Sequence, residues 1–380
     1  MAVAVSFLSP SSVTTKRDRA ITRKRGDGVW DHWSTSILRF FLLTAHSISS
    51  LLFLTFWNFR FFFDFSSFPR IFSALLCVNL ENFQKMSDNE AKARQKMAEG
   101  RKKLSGGGGF LNRMFGGGGS NAEAADLFIQ GGNLFKMAKN WQAAGDAFLE
   151  AAEFYAKNGD SKHDCATQYA EAANCFRKIQ PERAVQCLEK TSEIYTDMGR
   201  FTMAAKNHVS IAELYETELP DKEQCVKHYQ QAADYYKGEE QKSSASKCLV
   251  KVAMYSAELE KYSQAIAVFE EIAFFEADHS TLKYAAKGHF FQALLCHLCI
   301  DPINTQQALQ KYENASPSFT DSRECKFVKE LLAAIDEKKE ETFTECVANF
   351  DKISRLDNWS TSLLLKVKRT IEGEDEDDLR

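Results

Sequence analysis

The sequence predicts an all-α fold in which helical hairpins stack as repeats into a twisted, elongated, right-handed sheet, capped by a C-terminal helical bundle. Two observations carry that prediction. Small and aromatic side chains return at the same relative positions four times, at a period of about 40 residues: Ala144, Ala184, Cys225 and Ala265; Phe148, Leu188, Tyr229 and Phe269; Ala152, Ser192, Ala233 and Ala273. Turn-forming pairs recur at a similar interval, at Gln180-Pro181, Leu219-Pro220, Glu260-Lys261 and Asp301-Pro302. Proline is tolerated at a helix start and disfavours helix in the residue before it. Repeats of this length mean TPR-like stacked helix pairs, which points to a scaffold before any catalyst.

Composition separates the first segment, residues 1–85, from the rest. It is basic and rich in Phe, Leu and Ser, whereas the chain after Met86 is acidic, rich in Ala, Glu and Lys, and regularly helical. Ile37 to Trp57 is apolar enough to suggest a membrane span, although Arg39, His46 and several serines weaken it. A long charged stretch (Lys16 to Arg25) precedes the apolar part and no small-residue cleavage site closes it, so it makes a poor signal peptide. Three readings stay open: a marginal membrane anchor, a targeting segment, and translation of sequence upstream of a start at Met86. The Phe61 to Phe68 bias and the abrupt change at Met86 favour the third.

Residues 86–121 combine a first helix, Glu90 to Leu104, with a loop in which Phe110-Leu111-Asn112-Arg113-Met114-Phe115 stands between two runs of four glycines. A phosphate loop is excluded, since no Gly-Lys-Ser/Thr follows and no strand precedes it. Flexible glycine arms instead present Phe110, Leu111, Met114 and Phe115 with few neighbours to bury against, which suits a bilayer interface or a protein surface. Arg113 is placed to meet anionic headgroups. Each apolar side chain inserted would contribute on the order of 1 to 2 kcal/mol before ordering costs, enough for weak, reversible attachment. The alternative is a loop folded back onto the first repeat.

Residues 122–280 hold the repeats. In one unit Ala144, Ala147, Phe148, Ala151 and Phe154 or Tyr155 share a helix face, while Gln142, Asp146, Glu150 and Glu153 face away. The preceding stretch places Leu127, Phe128, Leu134, Phe135 and Met137 on its buried side, with Lys139-Asn140 as the connection. Small residues let the paired helix approach closely and the rings fill the gap to the next hairpin, so a unit buries its face only by stacking.

Residues 281–373 form the expected C-terminal bundle. Cys296-His297-Leu298-Cys299 resembles a metal or redox motif, yet it lies in an apolar run from Phe290 to Ile300 with no second ligand pair nearby, and it reads as core. Cys165, Cys175, Cys187, Cys225 and Cys248 follow helix patterns without disulfide-framework spacing, as expected of reduced thiols in a cytosolic protein. The last apolar helix pattern (Leu356, Trp359, Leu363, Leu364, Val367, Ile371) is followed by the acidic tail, residues 374–380. There Glu374, Asp375, Glu376, Asp377 and Asp378 precede a penultimate Leu379, a layout suited to docking on a basic surface with one apolar anchor.

Four stretches and the ending together resemble the soluble NSF attachment protein (SNAP) family, in its alpha/beta branch. They are Leu134-Phe135-Lys136-Met137-Ala138-Lys139-Asn140-Trp141, Ile194-Tyr195-Thr196-Asp197-Met198-Gly199-Arg200-Phe201, Asp234-Tyr235-Tyr236-Lys237-Gly238-Glu239-Glu240 and Ile353-Ser354-Arg355-Leu356-Asp357, with the Glu-Asp-Glu-Asp-Asp-Leu-Arg terminus. The resemblance runs from Met86 to Arg380. It implies a non-enzymatic adaptor that wraps assembled SNARE bundles, recruits the hexameric ATPase NSF and stimulates its ATP hydrolysis. By this resemblance Arg200, Lys206, Lys247, Lys251 and Lys287 match the basic residues that grip the SNARE complex. Phe110, Leu111, Met114 and Phe115 match the membrane-contacting loop, although the family's paired Phe-Phe is Phe-Leu here. Leu379 matches the leucine needed to stimulate the ATPase, with Glu374 to Asp378 facing NSF. Residues 1–85 have no counterpart in the family pattern.

No phosphate loop, His-Glu-x-x-His or nucleophile motif is present in the sequence, so an enzyme, a cofactor, a metal, nucleic acid and a small-molecule substrate are not expected. The expected location is cytoplasmic, peripheral on the cytosolic face of membranes. Three other classes compete: a TPR-like peptide-binding scaffold unrelated to NSF, a protein anchored in a membrane through residues 37–57, and, last, a metal-thiol enzyme at Cys296 and Cys299.

Overall fold

The computed structural model describes residues 68–106, 118–158, 161–279 and 281–377, and all fifteen elements in them are helices. Contacts divide the chain into residues 1–78 and 79–380. The candidate span Ile37 to Trp57 lies outside the described residues. A first helix, α1 (Phe68–Gly106), runs through Met86 without a break. It therefore starts well ahead of the expected Glu90, with Pro69 in its first turn, where proline costs no intrahelical hydrogen bond.

The repeats follow as α2 (Gly118–Met137), α3 (Trp141–Asn158), α4 (Lys162–Phe176), α5 (Pro181–Asp197), α6 (Phe201–Thr217), α7 (Lys222–Gly238), α8 (Lys242–Glu258), α9 (Tyr262–Ala277) and α10 (Lys283–Leu298). From α2 on, each of these packs on the next in sequence. All twelve repeat positions of the 40-residue pattern are buried, Ala144, Ala184, Phe269 and Ala273 among them. The even-numbered partners carry a matching series of small buried residues, Cys165, Ala205, Ala245 and Ala286, which lets the two helices of a hairpin close on each other. Met137 departs from expectation. It is 62 % exposed, because it is the last residue of α2 and the chain turns away immediately after it.

Five of the helix-ending turns use one device. At Lys139, Gly199, Glu240, Glu260 and Lys338 the backbone takes a positive φ of 53 to 68°. The next residue's N–H then reaches back over the helix end: Asn140 to Phe135 O, Arg200 to Tyr195 O, Gln241 to Tyr236 O, Lys261 to Ser256 O and Lys339 to Ala334 O, all within 2.8 to 3.1 Å. This Schellman geometry satisfies carbonyls that a helix end leaves orphaned. Only Gly199 reaches it without a side-chain penalty.

Ion pairs one repeat apart reveal two layers. Lys136 of α2 meets Glu171 of α4 at 2.6 Å, Arg177 just after α4 meets Glu213 of α6 at 3.4 Å, and Lys251 of α8 meets Glu216 of α6 at 3.2 Å. On the other side Arg183 of α5 meets Asp146 of α3 at 2.8 Å and Lys237 of α7 meets Glu271 of α9 at 2.7 Å. Even-numbered helices thus form one layer and odd-numbered helices the other. Each exposed pair contributes little energy, but the series fixes the register between hairpins.

Beyond the repeats come α11 (Pro302–Ala315), α12 (Pro317–Thr320), α13 (Arg323–Asp336), α14 (Glu340–Ile353) and α15 (Asn358–Asp377). Helix α10 is shared: it closes the last hairpin against α9 and is the post around which α11, α12, α13 and α15 pack. One buried cluster runs from Ala253 and Phe269 through Phe290, Tyr312 and Phe327 to Trp359 and Ile371, so the last hairpin and the bundle share a core. Asp301 and Ser322 cap α11 and α13 by accepting from Ile303 N and Cys325 N.

Candidate functional site

The five basic residues singled out in the sequence all fall on the even-numbered layer. Arg200 ends the Schellman turn after α5 and is the N-cap residue of α6, so its backbone is fixed by two helices at once. Lys206 lies on α6, Lys247 and Lys251 on α8, and Lys287 on α10. Lys206 directly follows Ala205 and Lys287 directly follows Ala286, the small residues that hold α6 and α10 in the stack. Burial of the alanines is what presents the cations. Arg200, Lys206 and Lys247 are exposed, and Lys287 is half-buried.

Lys251 differs from the rest. Its ammonium is 3.2 Å from Glu216, a carboxylate that also accepts the Tyr229 hydroxyl at 2.9 Å. Burial first, and then the Glu216 hydrogen bond, holds the Tyr229 hydroxyl far above its usual range. Lys251 is therefore partly neutralised within the protein, while Arg200, Lys206, Lys247 and Lys287 have no ion-pair partner among the described residues. Beside these cations stand apolar side chains that the sequence reading missed: Met203 and Leu282 are about two-fifths exposed and Tyr284 two-thirds. Met203 and Tyr284 lie in the first turns of α6 and α10 and Leu282 just before α10, so a helical-wheel reading of each turn would have found them.

No group of three or more His, Cys, Asp or Glu side chains is arranged to hold a metal ion among the described residues. Cys296 is fully buried and its thiol is pushed far up by burial, in line with its reading as core. Cys165, Cys175, Cys187, Cys225 and Cys248 are free and buried. Burial pushes the Cys175, Cys187, Cys225 and Cys248 thiols up to about 11, far from the reactive thiolate range.

The two apolar and acidic elements are only partly in view. Phe110, Leu111, Met114 and Phe115 lie outside the described residues, as do Asp378 and Leu379. The backbone of Glu374, Asp375, Glu376 and Asp377 continues α15, so the helix extends beyond the apolar pattern that ends at Ile371. Acids at a helix C-terminus oppose the macrodipole, which makes this the end of α15 most prone to fray. No helix among the described residues is long and apolar enough to cross a membrane.

Comparison with known proteins agrees with this architecture. The family model of soluble NSF attachment proteins matches residues 91–372. The chain is 51% identical over 294 residues to the alpha-soluble NSF attachment protein of Mus musculus, which covers 77% of this chain and 99% of that protein. It is also 51% identical over 294 residues to the beta-soluble NSF attachment protein of Bos taurus, with 77% and 98% covered. A probable vesicular-fusion protein sec17 homolog of Schizosaccharomyces pombe is 35% identical over 286 residues, 75% of this chain and 98% of that one. With a matching model over most of its length and near-complete coverage of these relatives, the chain belongs to the soluble NSF attachment protein family.

Proposed function

We propose that this protein is an adaptor for SNARE complex disassembly in intracellular membrane fusion, one that binds assembled SNARE bundles, recruits NSF and stimulates its ATPase. The observation that carries this reading is the placement of Arg200, Lys206, Lys247 and Lys287 along one layer of a chain of this family, without internal ion-pair partners among the described residues. A row of cations spaced by the repeat suits a long acidic helical bundle, because each hairpin adds one more contact along the same ligand. Glu374 to Asp378 and Leu379 would meet NSF. Phe110, Leu111, Met114 and Phe115 would add weak peripheral contact with the cytosolic face of a membrane and so raise the local concentration of the adaptor. The chain itself performs no chemistry and needs no cofactor; force comes from NSF.

The test is NSF-driven disassembly of a purified SNARE complex by the full chain and by its Leu379→Ala variant. The reading expects disassembly with the first, and SNARE binding without stimulated ATP hydrolysis with the second. Recruitment of NSF should also weaken as salt rises, since exposed charge pairs are screened. Failure of the full chain to support disassembly would leave the peptide-binding scaffold as the better account.

A further inference from the structure

The helix that leads to the acidic end of the chain is attached to the repeats through its first half. Trp359, in the first turn of α15, is buried, and its indole N–H donates to Met254 O of α8 at 3.1 Å. That carbonyl is on the helix that carries Lys247 and Lys251. The ring also meets Phe269 of α9 edge-on, with centroids 5.7 Å apart. Two turns further along α15, Lys366 donates to Glu260 Oε1 at 2.7 Å and to the Tyr262 hydroxyl at 3.2 Å. Glu260 is the positive-φ residue of the α8–α9 turn, so its backbone direction is fixed by that turn. Between these points the Cys299 thiol points to Leu363 O at 3.8 Å, tying the end of α10 to the same helix.

Two polar attachments about two turns apart fix a helix's rotation as well as its position, which apolar packing alone does loosely. We propose that Trp359 and Lys366 are positioning residues that set the direction in which α15 presents the C-terminal acids relative to the cations of α6, α8 and α10. The proposal rests on the adaptor reading. One chain engaged through its even-numbered layer would then direct α15, and the acidic segment that follows its apolar part, toward NSF, and loss of the staple would leave the grip intact while misdirecting that segment.

The experiment uses the full chain and three readouts: retention on a purified SNARE complex, thermal melting, and NSF ATP hydrolysis titrated to saturating adaptor. Trp359→Phe keeps the ring and removes the donor. Lys366→Glu and Glu260→Lys each replace attraction by repulsion, and the double variant restores it with the charges exchanged. Each single variant should keep SNARE retention within about twofold while maximal stimulation falls about threefold or more, a drop in the ceiling and not in the half-maximal concentration. The exchanged pair should recover most of that ceiling, which a general loss of stability would not produce. Should Trp359→Phe melt early or lose SNARE retention, the charge exchange decides, since both partners are surface groups. Unchanged stimulation in the single charge variants, or no recovery in the exchanged pair, overturns the proposal. Absence of stimulation by the unaltered chain would instead overturn the adaptor reading itself.

Discussion

In the hairpins the interior is a lattice of small residues: Ala144, Ala147, Ala151, Ala204, Ala205, Ala232 and Ala233 are fully buried, and the core breaks into separate clusters along the stack. Around α10 the interior is aromatic and continuous. Phe290 stacks on Tyr312 at 4.7 Å, Phe327 on Phe350 at 4.2 Å, and one cluster joins α8 to α15. The hairpins bury surface only against their neighbours, so their stability is a chain of local terms. The bundle closes on itself through contacts such as Trp359 to Met254, far apart in sequence, and serves as the cap that an open stack of hairpins needs.

The strongest way to break this contrast is to cut the centre of the bundle. Phe290 is fully buried and touches Phe274, Tyr312 and Phe319. Phe290→Ala should cost about 3–5 kcal/mol, as large aromatic deletions in packed cores do. Amide exchange should accelerate across α10 to α15 while α4 to α6 keep their protection. Equal loss in both regions would show that the hairpins depend on the cap as a single cooperative unit.

The next largest effect is in the hairpins and depends on pH. His208 of α6 and His228 of α7 are buried with their Nδ1 atoms 3.1 Å apart, one donating and the other accepting, inside a ring stack that continues to Tyr235 on one side and Tyr215 on the other. Burial first, then nearby positive charge (Lys227 on His208; His208 and Lys227 on His228), holds both imidazoles down to about 4. The folded form therefore binds fewer protons than the unfolded chain. The stability this pair supplies is complete above about pH 6.5 and is lost as pH falls toward 4, on the order of 1.4 kcal/mol per unit for each ring. Exchange measured at pH 7 and pH 5 should open α6 and α7 first. Uniform loosening across all helices would count against the assignment.

The periodic half of the molecule was legible because its packing repeats. Every one of the twelve positions aligned by their spacing is buried, and Lys139-Asn140, Gln180-Pro181 and Asp301-Pro302 all fall at helix junctions. The cations Arg200, Lys206, Lys247, Lys251 and Lys287 were named by the family resemblance and not by the period; Lys206, Lys247, Lys251 and Lys287 lie on even-numbered helices and Arg200 at the start of α6. What escaped the reading was long-range or depended on backbone detail. The ion pairs of Lys136 with Glu171 and of Arg183 with Asp146 span most of a repeat, and no property of either residue alone marks them. Met137 fits the apolar pattern but lies at a helix end, where the chain's change of direction decides exposure. The staple from Trp359 to Met254 joins a bundle residue to a repeat residue, a contact no periodicity announces.

A smaller effect sharpens the account of the hairpin lattice. A β-carbon at Gly145 would lie 2.5 Å from the Phe176 ring, so α3 and α4 approach as closely as they do only because that side chain is missing. Gly145→Ala should overpack this point and cost about 1–3 kcal/mol despite the better helix propensity of alanine. Its exchange signature should stay within α3 to α5, where the corresponding Phe290→Ala signature spreads over several helices. Spread of the Gly145→Ala effect into α10 would contradict the nearest-neighbour picture.

The smallest effect has the opposite sign and isolates the turns from the packing. Glu240 holds φ at 54° to let Gln241 N–H reach Tyr236 O at 2.9 Å and its own N–H reach Lys237 O at 3.1 Å. Gly199 meets the same demand at φ 68°, with Arg200 N–H on Tyr195 O at 2.8 Å. The two turns thus differ in side chain at constant hydrogen bonding. A side chain in the left-handed region carries a steric cost that glycine avoids, while glycine adds entropy to the unfolded chain. Relief of strain should exceed the entropy term, so Glu240→Gly should stabilise the protein by up to about 1 kcal/mol, read as a rise in Tm. Gly199→Ala should lower it by a similar amount, because the alanine would take up the strain that Glu240 already bears. If Glu240→Gly destabilised instead, the Glu240 side chain would be contributing more than its backbone costs. Its turn would then belong with the ion-paired register of the layers, and not with the capping device it shares with Gly199.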